Sequence, residues 1–266
     1  MTHYDLPADT PSNTQTMEPS AIAVSQYATT SSKLAGRLAI HDWNTSGQHW
    51  FVWAGERIAK EGDVLEIGAG TGELWRQTDH SKARLVLTDF SAAMCDRLRE
   101  IDGATVQQCD ATKLPFADGS FDSVIANHML YHVDDPDAAL KEFARVLRPG
   151  GKVHIALNGM DHLEELLNVG AEVGRPSVIR DRAKVVAETA AGYLEKYFAD
   201  VTYERCPGAF EVPRYEPVLA YINSIGDEPL GGDQEAKARR IIEDTIAQKG
   251  KFHVNKHMVL FTGRRV

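Results

Sequence analysis

Cysteine is scarce. The chain of 266 residues has three, Cys95, Cys109 and Cys206, far apart, odd in number and without CxxC or metal-type spacing. That excludes a disulfide-stapled scaffold and suits buried thiols in a reducing cytoplasm. Positive charge is in deficit: 29 Lys and Arg against 38 Asp and Glu give a net charge of −9. A broad nucleic-acid surface needs the opposite balance, because phosphates are neutralised by Lys and Arg. No run of about eighteen apolar residues exists, so no membrane span is expected. The first twenty residues, MTHYDLPADTPSNTQTMEPS, lack both a basic region and an apolar core, so they do not read as a signal peptide. Their Thr, Ser and Pro content predicts a disordered tail over 1–20. What is present is apolar material, 43% of the chain. That suffices for one large α/β domain or for such a domain with a cap.

Residues 21–62 read as short helices. Leu34, Leu38 and Ile40 supply one apolar face, and Trp50, Trp53 and Ile58 can share another. Two readings of the tryptophans stand: packing onto a sheet, or contact with a ligand. From Asp63 the pattern changes. Strands are expected in DVLEIGAG, RLVLTDFS, ATVQQCDAT, FDSVIANHML and PGGKVHIALNG, with helices between them. That alternation predicts a Rossmann-like α/β fold, a mostly parallel sheet with helices on both faces. Ligands of such sheets sit outside the carboxyl ends of the strands. The loop after VLEIG, Asp89, Asp110 and Asn127 all fall at those ends.

The loop is VLEIGAGTGELW, residues 64–75. Its glycines are Gly68, Gly70 and Gly72, and Glu73 stands where a dinucleotide fingerprint needs its third glycine. A nicotinamide oxidoreductase is therefore a remote reading. Glu66 precedes the first glycine by two positions. Asp89 ends the second strand, where an acid can accept both ribose hydroxyls. Asp110 ends the third, where an acid can accept from an exocyclic amine. These are the needs of an adenosine whose other end is a charged amino acid rather than a pyrophosphate.

With VLEIGAGTGELW, LVLTDFS, CDATKLPFADGSFDSVIANHMLYHV and RVLRPGGKVHIA in this order, the chain from about Asp63 to Leu157 resembles the class I S-adenosylmethionine-dependent methyltransferases. The resemblance is to the branch of the ubiquinone and menaquinone biosynthesis enzymes and many small-molecule methyltransferases. It implies a seven-stranded sheet and S-adenosylmethionine as cofactor, with S-adenosylhomocysteine as product. Gly68, Ala69, Gly70 and Gly72 would admit the methionine part, and Asn127 would touch its amino group. Glu66 would orient that end from behind. Asp89 would hold the ribose, Phe90 and Met94 would flank the adenine, and Asp110 with the Ala111 backbone would take the adenine amine. Core packing remains the other reading of Phe90 and Met94, and helix capping that of Asp89 and Asp110. The N-terminal helices resemble the lids of such enzymes, with Tyr27, Arg37 and His41 able to reach the site. Arg37 suits the cofactor carboxylate or is a surface arginine.

Methyl transfer from a sulfonium needs alignment first, and a base only where the acceptor must lose a proton. His132, Tyr131 and His128 lie at the expected mouth and are candidates for catalysis, His132 foremost. Packing beneath the cofactor is their other reading. No Asn/Asp-Pro-Pro-aromatic motif or Pro-Cys pair supports a base-flipping enzyme. No clustered carboxylates beyond those assigned suggest a metal. The sixth and seventh strands are expected in ADVTYERC and NKHMVLFTGRRV. The residues between them, 207–255, read as a helical cap over the acceptor or as an oligomer contact. The core is then 63–206 with a last strand in 256–266. The functional expectation is methyl transfer to a small-molecule or peptide-like acceptor at oxygen, nitrogen or carbon. The alternative is a cofactor-binding regulatory or partner subunit without activity of its own.

Overall fold

Chain segments rich in Val, Ile and Leu and bounded by Gly and Asp make the framework. A computed structural model describes residues 36–37, 39–177, 183–225 and 228–266. The tail over 1–20 and Tyr27 lie outside the described residues.

Among the described residues nine strands form two sheets. The large one holds β1 (Gly62–Ile67), β2 (Ala83–Asp89), β3 (Thr105–Gln108), β4 (Phe121–Asn127), β5 (Leu147–Asn158), β6 (Ala199–Arg205) and β9 (Met258–Arg264). Its order is β3-β2-β1-β4-β5-β9-β6, seven strands. All pairs from β3 to β5 are parallel, whereas β9 runs antiparallel to both β5 and β6. This is the seven-stranded, mostly parallel Rossmann-like sheet expected from the sequence. Strand order reverses beside β1, so the crevice at the carboxyl ends of β1 and β4 is where a ligand fits.

Both faces are covered, which is why the central strands read as continuous apolar runs. On one face Leu65, Ile67, Val124 and Phe261 pack against α4 (Pro136–Val146) and α6 (Ala187–Leu194). On the other, Val64, Leu85, Leu87 and Ile125 pack against α1 (Trp50–Gly55), α2 (Glu73–Gln77) and α3 (Ala92–Leu98). Trp50 and Trp53 are each 3% exposed in that layer, so they pack on the sheet. Helix α4 shows how local sequence sets a boundary. Asp135 caps it by accepting from Ala138 N at 3.0 Å, and Pro136 opens it where no N–H partner is needed. Such a cap contributes about 1 kcal/mol.

A third apolar cluster, termed the cap layer, stands apart from these two. It joins α5 (Glu164–Glu172), α7 (Tyr215–Ser224), α8 (Gly232–Lys249) and a two-stranded sheet of β7 (Phe210–Val212) and β8 (Phe252–Val254). Ile40 is buried within it and Trp43 packs on it, so these two residues belong to this layer. Helix α5 lies in 63–206 by sequence yet packs here. Lys256, 2% exposed, donates to Asn44 Oδ1 at 2.8 Å and to Ser46 Oγ at 3.3 Å, tying the N-terminal segment to the start of β9. Cys95, Cys109 and Cys206 are free thiols. Among the described residues no helix is long and apolar enough to cross a membrane.

Candidate cofactor and acceptor site

The glycine loop leaves β1 and enters α2. Gly68, Gly70 and Gly72 have φ of +66°, +58° and +77°, a region that side chains with a Cβ rarely adopt. A Cβ on Gly68 would lie 2.7 Å from that of Met129, while one on Gly70 would meet nothing within 4 Å. The loop is thus pinned on its inner side and open at Gly70. Ala69 N donates to Thr88 O at 2.9 Å, and Gly70 N donates to Asp89 Oδ2 at 3.0 Å. Asp89 Oδ1 accepts from Ser91 N at 2.8 Å. Burial raises the Asp89 carboxyl above its ordinary range, and the N–H groups of Ser91, Gly70 and Phe90 pull it back.

Behind the loop sits a buried polar cluster. Glu66, 2% exposed, accepts from Asn127 Nδ2 at 2.9 Å and from Trp75 Nε1 at 2.5 Å. Burial pushes its carboxyl up to about 7. The bonds from Asn127 and Trp75 oppose that shift, and the Asp89 charge adds to it. Because both partners of Glu66 are donors, Asn127 turns its amide nitrogen inward and leaves Oδ1 buried without a partner. A buried acceptor without a partner costs about 1–3 kcal/mol unless a ligand satisfies it.

The other expected cofactor contacts spread along the same rim. Phe90 is 57% exposed beside Asp89, an uncommon state for so large an apolar ring, while Met94 is buried in α3. Asp110 is exposed and accepts from Thr112 N and Oγ1, both at 2.8 Å, and Ala111 is buried next to it. The loop beyond is braced by Arg145, which donates to the carbonyls of Leu114 at 3.0 Å and Phe116 at 2.7 Å.

The mouth follows β4. His128 has φ of +51°, a strained value for a residue with a Cβ. Both its ring nitrogens are buried without a hydrogen-bond partner. Its ring lies 4.9 Å from that of Trp50, whose Nε1 is likewise buried and unpaired. Burial, with His41 and His132 nearby, lowers His128 to about 3. Tyr131 and His132 share a one-turn 3-10 helix, Leu130–His132, with rings edge to face at 4.6 Å. Burial and then the Arg37 charge lower His132 to about 4. These imidazoles are neutral at pH 7 because of burial, where the sequence suggested ordinary titration near that pH. Arg37 itself donates from Nε to Ser224 Oγ and from Nη2 to Ser224 O, both at 3.3 Å, so it engages α7 of the cap. His41 is lowered to about 4 by burial, then by His49 and Lys256.

Sequence reasoning missed the role of Trp75 as the second donor to Glu66. Its spacing from Glu66 across a strand, a loop and a helix carries no recognisable signal. It also missed His162, lowered to about 3 by burial with His128, His41 and His257 in reach.

Sheet order, glycine loop and acids at successive strand ends define a class I methyltransferase-type domain. Comparison with known proteins agrees. The methyltransferase domain family matches residues 65–155. A ubiquinone/menaquinone biosynthesis C-methyltransferase UbiE of Desulfotalea psychrophila is 38% identical over 110 residues, covering 38% of this chain and 45% of that protein. A demethylmenaquinone methyltransferase of Clavibacter sepedonicus is 35% identical over 144 residues, covering 53% of this chain and 56% of its own length. A Thermotoga maritima structure described as an S-adenosylmethionine-dependent methyltransferase, possible histamine N-methyltransferase, superposes with a TM-score of 0.57. It covers 91% of this chain and 98% of that one at 19% identity, which shows the shared fold. Over residues 65–155 the chain matches the methyltransferase domain family, and there it is similar to UbiE-like C-methyltransferases. It spans about half the length of the curated relatives it matches.

Proposed function

We propose that this protein binds S-adenosylmethionine at the rim of β1, β2 and β4 and methylates a small-molecule or peptide-like acceptor beneath the cap. The observation that carries the reading is the unpaired Asn127 Oδ1, fixed in orientation by Glu66, whose strand leads into the open Gly70 turn. An anionic phosphate would be repelled by an acceptor oxygen there, whereas an ammonium would donate to it. In this reading Asn127 and Glu66 hold the amino-acid end, the Gly68–Gly72 loop admits it, and Asp89 takes the ribose. Phe90 and Met94 flank the adenine, with Asp110 and the Ala111 backbone at its amine. Tyr27 and Arg37 belong to the lid.

When bound, S-adenosylmethionine supplies an electrophilic methyl group on a sulfonium. The chain supplies alignment and a water-poor chamber. The N-terminal segment 21–62 acts as a lid and the insertion 207–255 as a cap, a reading supported by Ile40 and Trp43, which share one apolar cluster with the insertion. His128 is the best supported of the three mouth residues as a contact to the acceptor, because its ring nitrogens lack partners. His132 and Tyr131 stand next to it. A neutral imidazole there can take a proton from an acceptor that must lose one. The domain match and the methyltransferase relatives support catalysis over a purely binding role. A cytoplasmic location suits the three free thiols.

Calorimetry with S-adenosylhomocysteine, followed by incubation with labelled S-adenosylmethionine and cell extract, tests the reading. Binding and transfer of label to a small molecule are expected. Binding of NAD with none of S-adenosylhomocysteine would defeat it.

A further inference from the structure

Three residues that play no part in the proposed cofactor site converge at the carboxyl rim of β5. Asp161 lies in the connection from β5 to α5, Glu188 in the first turn of α6, and His257 just before β9. One potential ligand atom from each lies within 4.8 Å of the others. We propose that Asp161, Glu188 and His257 bind a divalent transition-metal ion of the zinc or manganese kind, between the sheet and the cap.

The geometry carries this in four ways. First, His257 Nδ1 faces two carboxylates: it is hydrogen-bonded to Asp161 Oδ1 and lies 3.7 Å from Glu188 Oε1. A single N–H serves only one of them, whereas a cation in place of that proton serves all three. Second, among the described residues no Lys or Arg forms an ion pair with Asp161 or Glu188.

Third, the ligands are oriented from behind, as metal ligands generally are. Asn255 Nδ2 donates to Asp161 Oδ2 at 2.6 Å, and Met160 N donates to Glu188 Oε1 at 3.0 Å and Oε2 at 3.2 Å. Fourth, the imidazole occupies the space above Gly159, where a Cβ would come within 2.1 Å of Nδ1. Only glycine at 159 lets the ring sit there.

The donor set selects the ion. One imidazole with two carboxylates and no thiolate suits Zn²⁺, Mn²⁺ or Fe²⁺ better than Cu⁺, and the nitrogen disfavours Ca²⁺ and Mg²⁺. Three protein ligands leave positions open, and both carboxylates are 45% exposed, so water can complete the shell. The ion would join three segments: α6 on the sheet, the connection leading into cap helix α5, and the start of β9. His257 N also donates to His162 Nδ1 at 3.1 Å, and His162 lies within electrostatic reach of His128. The site therefore borders the acceptor mouth through one side chain.

Untagged full chain, stripped with chelator and dialysed against zinc or manganese chloride, gives the test by metal analysis and thermal melting. A single ion per chain and a raised Tm are expected. Asp161→Asn and Glu188→Gln, both on half-exposed side chains, should each weaken binding at least about tenfold. Gly159→Ala should weaken it while keeping all three ligands. His257→Ala should abolish it, but Glu188→Gln decides the matter if that variant fails to fold. No stoichiometric ion in the wild-type chain overturns the proposal. So does an ion whose affinity is unchanged in Asp161→Asn and Glu188→Gln. Neither result depends on methyl transfer or on cofactor binding.

Discussion

Glu66→Gln removes a charge from the buried cluster behind the glycine loop and leaves its volume nearly unchanged. Its consequence follows from donors and acceptors. The indole Nε1 of Trp75 only donates, so the remaining carbonyl oxygen of the new side chain must stay with Trp75. The new amide NH₂ then faces Asn127 Nδ2, donor against donor. Asn127 relieves this by turning its amide over. Oδ1, unpaired in the wild type, swings toward Glu66's position, and in the proposed site an NH₂ group then meets the cofactor's ammonium. The loss is a hydrogen bond to a charged group, roughly 1.5–3 kcal/mol, or roughly ten- to 150-fold in Kd. Calorimetric titration with S-adenosylhomocysteine measures it.

The same logic gives a pH dependence. Burial holds Glu66 at about 7 in the free protein, and protonation turns it into a donor much as the glutamine does. A bound ammonium favours the carboxylate. Affinity should rise with pH through about 7 and level off above, falling below it by at most about tenfold per unit toward the affinity of the glutamine variant. The glutamine variant should lose this slope. Binding within twofold of wild type together with a flat profile from pH 6 to 8 would refute the assignment of Asn127 and Glu66.

Four further outcomes follow. Asp89→Ala should weaken S-adenosylhomocysteine binding by roughly 1–3 kcal/mol with the fold retained, since the side chain holds Gly70 N and Ser91 N at a strand end; an unchanged Kd would mean that Asp89 does not face the ligand. Acid should destabilise the ligand-free protein. His41 and His154 sit at about 4 and His128 at about 3 in the fold, so stability from them is full above 6.5 and is lost as pH falls toward those values. Glu66, raised, opposes them and removes stability as pH climbs from 4.5 to about 7. Near pH 5.5 the unfolded chain then binds about two more protons from these four groups, worth roughly 2–3 kcal/mol per pH unit; urea melts that show stability falling from pH 5 to 6.5 would contradict the buried neutral histidines. Lys256→Ala should cost roughly 1–3 kcal/mol by urea unfolding, because it frees Asn44 and Ser46 from the start of β9; no change would mean that these bonds are replaced by water. Gly68→Ala should lower the Tm and cofactor affinity together, as its Cβ meets Met129 in a positive-φ turn; an unaffected Tm would show that the loop relaxes freely.

The sheet was legible in the sequence because each strand is an apolar run closed by Gly, Asp or Asn, and because the intervening helices are long enough for parallel crossovers. Strands β7 and β8 were not, since three residues such as Phe210–Val212 carry too little periodicity to separate from a loop. The stripe on α5 announces a buried face but not which neighbour covers it, and here the neighbour is the cap. At the site, Glu66, Gly70, Asp89 and Asn127 could be named because they lie at strand ends whose positions the pattern defines. What they do to one another could not. The orientation of Asn127 depends on Trp75, and the meeting of Asp161 with His257 joins residues 96 positions apart.

The position of β9 also bears on how the protein is made. It is the last strand of the sheet to emerge during synthesis, yet it lies between β5 and β6 rather than at an edge. Until residues 258–264 are available, β5 presents an open hydrogen-bonding edge and β6 has no partner on which to pair. The amino-terminal part of the sheet can assemble on the ribosome while the other part waits. During that interval the apolar stretch at the end of β5, IALN, is an unpaired template for aggregation. Ribosome-stalled chains ending in the cap should therefore depend on chaperones for solubility more than chains released with β9 in place.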